Sequence, residues 1–253
     1  MKRWIVSTLL VTLLAAATGC ASGGVDRSTD GQRAAAPTSA ASEVAEQQQQ
    51  IAAFVDELME KAKEAELWIT PTLQFLTQRR GGELVGLEYR LKTRESLIRK
   101  VSTLATENPE LPLEQIPIDD AVRYTVVVED EPPGHHDTSI REILEIMDGI
   151  GHDVTWVKNY WPRGDDYSGV NTVLKAPNGT TWELQFHTSA SLQTKDETHV
   201  YYEEYRLLAT PIDRRRELFQ TMADLWEDVP IPVGILQPGS LHPAEQILQH
   251  SPP

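Results

Sequence analysis

Cysteine is nearly absent from this sequence, because Cys20 is the only one among 253 residues. One thiol excludes an intramolecular disulfide framework and a cysteine metal site. Phosphate-binding glycine loops and serine nucleophile elbows are missing as well. Basic residues are outnumbered, with 23 Lys and Arg against 38 Asp and Glu and a formal net charge of −15. A chain this acidic does not track nucleic acid through bulk electrostatics, so we expect no nucleic acid partner.

The first twenty residues have the layout of an export signal. Lys2 and Arg3 precede an apolar run over residues 4–17, which is too short for a confident membrane span. Residues 17–20, Ala-Thr-Gly-Cys, resemble a bacterial lipobox, in which the cysteine is lipidated. We predict a signal peptide over residues 1–19, lipidation at Cys20, and an exported protein anchored to the membrane on its extracytoplasmic face. An isolated thiol in a plain signal peptide is the alternative.

Large apolar side chains are also scarce just after the signal and at the other end of the chain. Residues 20–45 are rich in Ala, Ser, Thr, Gly and Gln and cannot bury enough surface to offset chain entropy, so we predict a flexible tether. Residues 231–253 form a proline-rich tail, of which only residues 231–236 could pack on a core. Residues 46–230 remain, which is enough for one domain.

Hydrophobic periodicity within this domain predicts an α+β fold, a mixed β-sheet flanked by helices. Pro71 should lie beyond the first helix, and Ser139 with Glu142 has the pattern of a capping box that begins the third. The predicted elements in chain order are helix 45–66, strand 83–91, helix 93–104, strand 121–129, helix 139–150, strand 154–157, strands 167–176 and 182–188, and helices 198–208 and 211–226.

The two strands before the last helices flank a turn at residues 177–179, Pro-Asn-Gly. A two-residue loop would set Leu174 opposite Glu183 and point an apolar face at a polar one. We therefore predict a longer turn that sets Lys175 opposite Glu183 and Leu174 opposite Leu184. The predicted pairing leaves one question open. The polar face that the two strands share is either a solvated surface or the floor of a site. The polar residues placed on that face are Tyr167, Asn171, Lys175, Glu183, Gln185 and His187.

Three stretches resemble the motifs of the RelA/SpoT synthetase domain, which has a nucleotidyltransferase-like fold. That family's first motif has an arginine followed by a lysine two residues later, a serine six later and a lysine ten later. The same intervals are found here in Arg90, Lys92, Ser96 and Lys100. Its last motif is similar to the segment from Tyr167 to Glu183, sixteen residues on, and to residues 183–188, Glu-Leu-Gln-Phe-His-Thr. The resemblance covers roughly residues 84–206.

The resemblance implies Mg²⁺-dependent transfer of pyrophosphate from ATP to the 3′-hydroxyl of a purine nucleotide, the chemistry of guanosine tetraphosphate metabolism. It implies that Glu183 and an aspartate, first Asp120 and second Asp119, are catalytic, and that Asp120 and Glu183 hold the metal. Glu183 would also accept the proton of the attacking hydroxyl, and Tyr167 would stack on the acceptor base. The implied nucleotide-binding residues are Arg90, Lys92, Ser96, Lys100, Arg123, Tyr167, Asn171, Gln185 and His187.

Several positions depart from the family pattern. The family's metal aspartate lies five residues before the arginine that matches Arg123, where this chain has Ile118. Asn171 and His187 replace a histidine and an arginine, which puts the acceptor specificity in question. Each residue also has a structural alternative: the basic side chains could form a solvated face, Tyr167 a packed turn, and Glu183 an ion pair with Lys175.

Export raises a second question, because ATP is scarce outside the cytoplasm. An exported synthetase would act after delivery into another cell, as a toxin with an immunity protein as partner. Otherwise it has lost activity and serves as a non-catalytic module that binds nucleotide or protein. A third hypothesis is that the signal is not processed and the protein stays in the cytoplasm.

Overall fold

The computed structural model describes residues 39–162, 167–207 and 209–237. The predicted signal peptide, Cys20, most of the tether and the end of the tail lie outside these residues. The predicted order of helices and strands is confirmed in the part described. The elements are α1 Ser39–Arg79, β1 Glu83–Val85, α2 Arg94–Glu107, β2 Arg123–Val127, α3 His135–Gly149, β3 Asp153–Asn159, β4 Val170–Lys175, β5 Thr181–His187, α4 Ser189–Tyr205 and α5 Ile212–Glu227.

The five strands form one mixed sheet in the order β1-β2-β5-β4-β3, in which only β2 and β5 run parallel. The α+β fold class is therefore confirmed. Successive side chains on a strand point to opposite faces. Tyr124 on β2 and Trp182 on β5 accordingly share the core face, with ring centroids 5.8 Å apart. This face packs with buried residues of α1 and α3, such as Leu73 and Leu144.

The opposite face of the sheet carries the polar set. Arg123 and Thr125 on β2 lie beside Glu183 and Gln185 on β5. Helix α4 covers part of this face, because Lys195 Nζ donates a hydrogen bond to Gln185 Oε1 at 2.9 Å. One face therefore builds the core, and the other is the floor of a cleft.

The first helix is longer than predicted, since α1 continues through Pro71 to Arg79. A proline inside a helix removes one backbone donor and leaves a carbonyl without its partner. Pro71 and Leu67, four residues earlier, are both exposed, so water can reach the free carbonyl. Residues 39–45, assigned to the tether from sequence, also lie in α1, where residues 42–50 are exposed.

Two other element ends differ from the predictions for local reasons. The strand predicted over 83–91 stops at Val85, because Gly86 turns the chain with φ 65° into a short 3-10 helix, Leu87–Tyr89. The predicted capping box of α3 is wrong, because the helix begins at His135 and Ser139 is buried inside it. Asp130 provides the capping carboxylate instead, accepting from the backbone N–H of Gly134 at 2.8 Å.

The turn between β4 and β5 is longer than two residues, as predicted, but the pairing differs. Ala176 N donates to Thr180 O at 2.8 Å, so residues 177–179 form the loop. Lys175 therefore lies opposite Thr181, and Val173 lies opposite Glu183. The predicted partners were wrong because the extra residue is Pro177, in the turn itself. Apolar residues still face apolar residues, since the two registers differ by two positions.

The segment after α5 contributes to the core. Ile235 has no exposed surface, and its carbonyl accepts from Asn159 Nδ2 at 2.7 Å. Val233 N donates to Asp130 Oδ2 at 2.7 Å. The first residues of the predicted tail are thus docked near the start of α3 and the end of β3. None of the described helices is long and apolar enough to cross a membrane.

Candidate functional site

The cleft has two adjoining lobes that share Tyr89 and Arg123. The Lys92 lobe has a volume of about 280 Å³ and is lined by Lys92, Ser96 and Asp120. The Lys195 lobe has a volume of about 470 Å³ and includes Thr125, Lys195 and His199. A larger cavity of about 590 Å³ adjoins the Lys195 lobe, but its charged lining is Glu83, Asp196 and Glu197. That lining contains no lysine or arginine among the described residues and is unsuited to phosphate, so the two lobes that contain lysine and arginine are the candidate site.

Asp120 lies between two lysines of the first motif. Its carboxylate accepts a hydrogen bond from Lys100 Nζ at 2.6 Å and a second one from Lys92 Nζ. Burial alone would raise the pKa of Asp120, but the two lysines outweigh burial and hold the pKa below its usual value. The motif spacing therefore brings Lys92, Lys100 and Asp120 together, as a carboxylate bridging two cations.

Asp119, the second choice for a metal ligand, has a different environment. Burial raises its pKa, and the nearby positive charge of Lys100 only partly offsets this. The ionised form of Asp119 is thus disfavoured where that of Asp120 is favoured. Of the two, Asp120 is the carboxylate that faces the cleft and lines its Lys92 lobe.

Glu183 lies directly beside Arg123, because the parallel register of β2 and β5 pairs these two positions. The Glu183 side chain is half-buried and makes no ion pair or hydrogen bond with the described residues. Its charge still acts on Lys195 and on the Tyr167 hydroxyl, where it opposes ionisation of the phenol. The alternative that Glu183 pairs with Lys175 is wrong, since Val173 lies opposite Glu183 and no ion pair joins Glu183 to Lys175, both of which the structure describes. A half-buried carboxylate without a partner among the described residues is available to a ligand.

Arg90 is directed away from the cleft. Its Nε donates to Glu66 Oε1 on α1 at 2.5 Å, and its Nη1 donates to the Leu87 carbonyl at 2.7 Å. The structure therefore does not place Arg90 among the residues lining either lobe. Its predicted contact with donor phosphates stays a prediction, one that requires release from Glu66.

A chain of hydrogen bonds runs along the polar face of β5. Ser191 Oγ lies 2.9 Å from His187 Nδ1, and His187 Nε2 lies 3.0 Å from the Tyr167 hydroxyl, which donates to Asn171 Oδ1 at 2.8 Å. Burial lowers the pKa of His187 to about 3, so the ring is neutral. His187 has no exposed surface. The prediction that it contacts nucleotide is corrected to a positioning role for Tyr167.

The packing of Tyr167 favours its structural alternative. Its ring centroid lies 5.0 Å from that of Tyr160 and 5.8 Å from that of Trp226, both at steep angles. Part of the ring stays accessible, so stacking on a base remains a prediction. Gly169 lies against His187, because an added Cβ would lie 2.7 Å from His187 Cε1. A side chain at position 169 would therefore displace the His187 ring.

No protein-family model matches this sequence, and no curated protein matches it. Solved structures do match. The chain is similar to one in the complex between the type VI effector Tas1 and its immunity protein, with a TM-score of 0.49 and 18% identity, covering 68% of this chain and 94% of that one. It is also similar to the small alarmone synthetase 1 from Bacillus subtilis, with a TM-score of 0.44 and 13% identity, covering 67% and 89%.

The same synthetase bound to its product pppGpp gives a TM-score of 0.41 at 13% identity, covering 67% of this chain and 89% of that one. All three TM-scores are below 0.5, so the RelA/SpoT-like fold stays a prediction from the motifs. At such identities the matches assign no activity to this chain, so function is argued from the site below.

Sequence reasoning missed Lys195, which lies on α4 and reaches the cleft floor through its hydrogen bond to Gln185. It also missed Tyr89, which is 72% exposed where the two lobes meet. Gln185, predicted to bind nucleotide, is buried and uses its oxygen for Lys195. Helix α4 was predicted to begin at residue 198, nine residues late, so Lys195 was not placed over the sheet. The missed signal was Thr188 with Ser191, the capping box that begins α4.

The carboxylates of the cleft fit Mg²⁺ rather than a metal held by protein alone. In the described ranges no group of three or more His, Cys, Asp or Glu residues could hold a metal ion. Mg²⁺, however, is usually bound by one or two carboxylates together with substrate phosphates and water. Among the described residues Glu183 has no cation in contact, and Asp120 faces the cleft, where it contacts Lys92 and Lys100. This donor set suits a magnesium ion that arrives with a nucleotide.

Proposed function

We propose that this protein is a nucleotide pyrophosphoryltransferase that moves pyrophosphate from ATP to the 3′-hydroxyl of a purine nucleotide. A bond forms between the 3′-oxygen and the β-phosphorus, the bridge between the α- and β-phosphates breaks, and AMP leaves. The observation that carries the proposal is Glu183, a half-buried carboxylate without a direct partner among the described residues, which lies beside Arg123, a residue that lines both lobes of the cleft. Lys92 lines one of these lobes, and Lys195 lines the other. The motif intervals at Arg90, Lys92, Ser96 and Lys100 support the same reaction.

Pyrophosphoryl transfer spreads negative charge over phosphate oxygens, so it needs fixed cations around the reacting group. In this proposal Lys92, Lys100 and Ser96 bind the donor phosphates, and Arg123 lies between donor and acceptor. Arg123 can bind two phosphate oxygens at once, whereas each lysine acts as a point charge. Glu183 accepts the proton of the attacking 3′-hydroxyl, which is the part of a general base.

Asp120 and Glu183 would hold Mg²⁺ together with substrate phosphates. The ion would supply charge neutralisation on the donor phosphates. Asp120 now bridges Lys92 and Lys100. Donor phosphates offer the two lysines new acceptors, which frees the carboxylate.

The test is turnover by the purified protein. We would incubate it with ATP, Mg²⁺ and GDP, GTP or AMP, and separate the labelled nucleotides by chromatography. We expect product with at least one acceptor and a loss of about a hundred-fold or more in Glu183→Gln, the usual share of a general base. Glu145→Gln, on the exposed side of α3, is the matched control and should keep full activity. No product with any acceptor, or full activity in Glu183→Gln, contradicts the proposal.

A second candidate is a non-catalytic module that binds nucleotide or protein. Three ion pairs favour it, because Asp120 is occupied by Lys92 and Lys100, and Arg90 by Glu66. Calorimetry with ATP separates the candidates. Tight binding without turnover supports the module, and absent binding leaves only a scaffold role.

We also propose that the protein is exported and held at the membrane through a lipid on Cys20, as its first residues predict. Labelling cells with a palmitate analogue should mark the wild type and leave Cys20→Ser unmarked. Equal labelling of both would contradict the anchor. An exported enzyme of this kind would act as a toxin on another cell, and a producing cell would then need an immunity protein as partner.

A further inference from the structure

The Lys195 lobe has a pair of cations, Arg123 and Lys195, of which the motif resemblance assigns only Arg123 to a ligand. Lys195 extends from α4 onto the sheet and is fixed by its 2.9 Å hydrogen bond to Gln185. Arg123 lines the same lobe from β2, and its side chain is exposed to it. The two charges therefore share one cavity of about 470 Å³.

These cations are not neutralised by direct contacts. Throughout residues 39–162, 167–207 and 209–237, neither Lys195 nor Arg123 makes an ion pair. Burial lowers the pKa of Lys195, and the positive charge of Arg123 lowers it further. Asp196 and Glu183 act in the opposite direction without restoring the usual pKa. Two neighbouring cations that repel each other in a partly buried cavity are stabilised by an anion between them.

We propose that the Lys195 lobe is a phosphate-binding subsite, in which Lys195 and Arg123 together hold a phosphate group of the bound nucleotide. Lys195 here supplies the positive charge that Arg90, paired with Glu66, does not bring to the cleft. The exposed ring of Tyr89 provides an apolar wall beside the subsite, against which a base or ribose can pack. The identity of the ligand as a nucleotide rests on the proposed function, but the anion site does not.

The experiment measures binding, which does not depend on turnover. Dissociation constants of the full-length protein for GDP, ATP and inorganic pyrophosphate would be measured by calorimetry at fixed ionic strength. Lys195→Met should weaken at least one of the three by about 10- to 100-fold, the value of one charge-assisted hydrogen bond. Lys195→Arg should retain most of the affinity, because it keeps the charge. Lys175→Met removes the same charge from the same sheet face outside the cleft and should change nothing.

The pattern across ligands identifies the source of the phosphate. A loss confined to GDP assigns the subsite to the acceptor, and a loss confined to ATP assigns it to the donor. Binding with a Lys195 effect but no turnover supports the subsite and contradicts the catalytic proposal. Unchanged affinities in Lys195→Met overturn the subsite, as does an equal loss in Lys195→Met and Lys195→Arg, which indicates a structural role. Absence of any phosphate binding by the wild type overturns it as well.

Discussion

Replacing Asp120 by asparagine tests the charge arrangement of the Lys92 lobe. The carboxylate accepts from both Lys92 and Lys100, and its side chain is only 19% exposed. Asp120→Asn keeps the shape and one acceptor oxygen but removes the negative charge. Two lysine ammonium groups are then left close together with no carboxylate between them.

The expected cost follows from the two hydrogen bonds. A hydrogen bond to a charged group contributes about 1.5–3 kcal/mol. Partial exposure of Lys100, at 34%, and the acceptor that asparagine retains reduce this sum. We therefore expect a loss of about 2 kcal/mol in the free energy of unfolding, or a fall in Tm of about 4–8 °C for a domain of this size.

Asp119→Asn is the matched control, one residue away. Burial raises the pKa of Asp119, so its ionised form opposes folding at neutral pH. Replacing it by a neutral amide should cost little or should stabilise the protein. Both substitutions replace a carboxylate by an amide. Asp120→Asn should lower the free energy of unfolding, whereas Asp119→Asn should leave it nearly unchanged or raise it. The comparison therefore separates the charge effect from a general effect of mutation.

The assay is urea unfolding between pH 3 and pH 8. Asp120 has a lowered pKa in the folded protein, so its contribution is present above the unfolded pKa and is lost as the pH falls through the folded pKa. Wild type and Asp120→Asn should therefore converge in acid. A loss in Asp119→Asn equal to that in Asp120→Asn, or no convergence, would refute this account of the lobe.

Three other predictions concern the rest of the fold. Ile235→Ala should lower the free energy of unfolding, measured in urea, by about 2–4 kcal/mol because Ile235 is fully buried. The control Leu236→Ala, at a residue that is 49% exposed, should change it by no more than about 0.5 kcal/mol. Equal losses would show that the segment is not docked. The low pKa of His187, about 3, means that the unfolded protein binds a proton first, so stability should fall as pH drops from the ordinary histidine value of 6.5. His187→Gln should flatten that part of the pH profile, and an unchanged slope contradicts the assignment. Glu66→Gln releases Arg90 and should tighten ATP binding measured by calorimetry, whereas unchanged or weaker binding would show that Arg90 does not reach the donor.

The sequence predicted which residues of a strand share a face, but it did not predict which residues pair between neighbouring strands. Alternation in residues 182–188 indicated that Glu183, Gln185 and His187 share a face, and β5 has this arrangement. The pairing partner of Glu183 depended on where one extra residue enters the turn. The predicted and the observed registers both match apolar with apolar, so pattern alone could not choose between them. Pro177 in the loop decided it.

The cations of the site were predictable only where one local motif carried them. The ten-residue interval from Arg90 to Lys100 spans a short connection and the start of α2, and it brings Lys92 and Lys100 to Asp120. It did not predict that Arg90 pairs with Glu66, a residue on a distant helix. Lys195 belongs to no motif, and its place on the cleft floor depends on how α4 crosses the sheet.

The sequence by itself determined the order of helices and strands, the two faces of the sheet and the grouping of the first-motif lysines. Those features depend on periodicity and spacing over short stretches, where each residue's neighbours along the chain decide the outcome. Only the tertiary structure decided which charges are neutralised. Glu183 lacks a direct partner among the described residues, Arg90 has one, and Lys195 faces Arg123, because helices and strands far apart in sequence meet there and electrostatic interaction depends on distance in space.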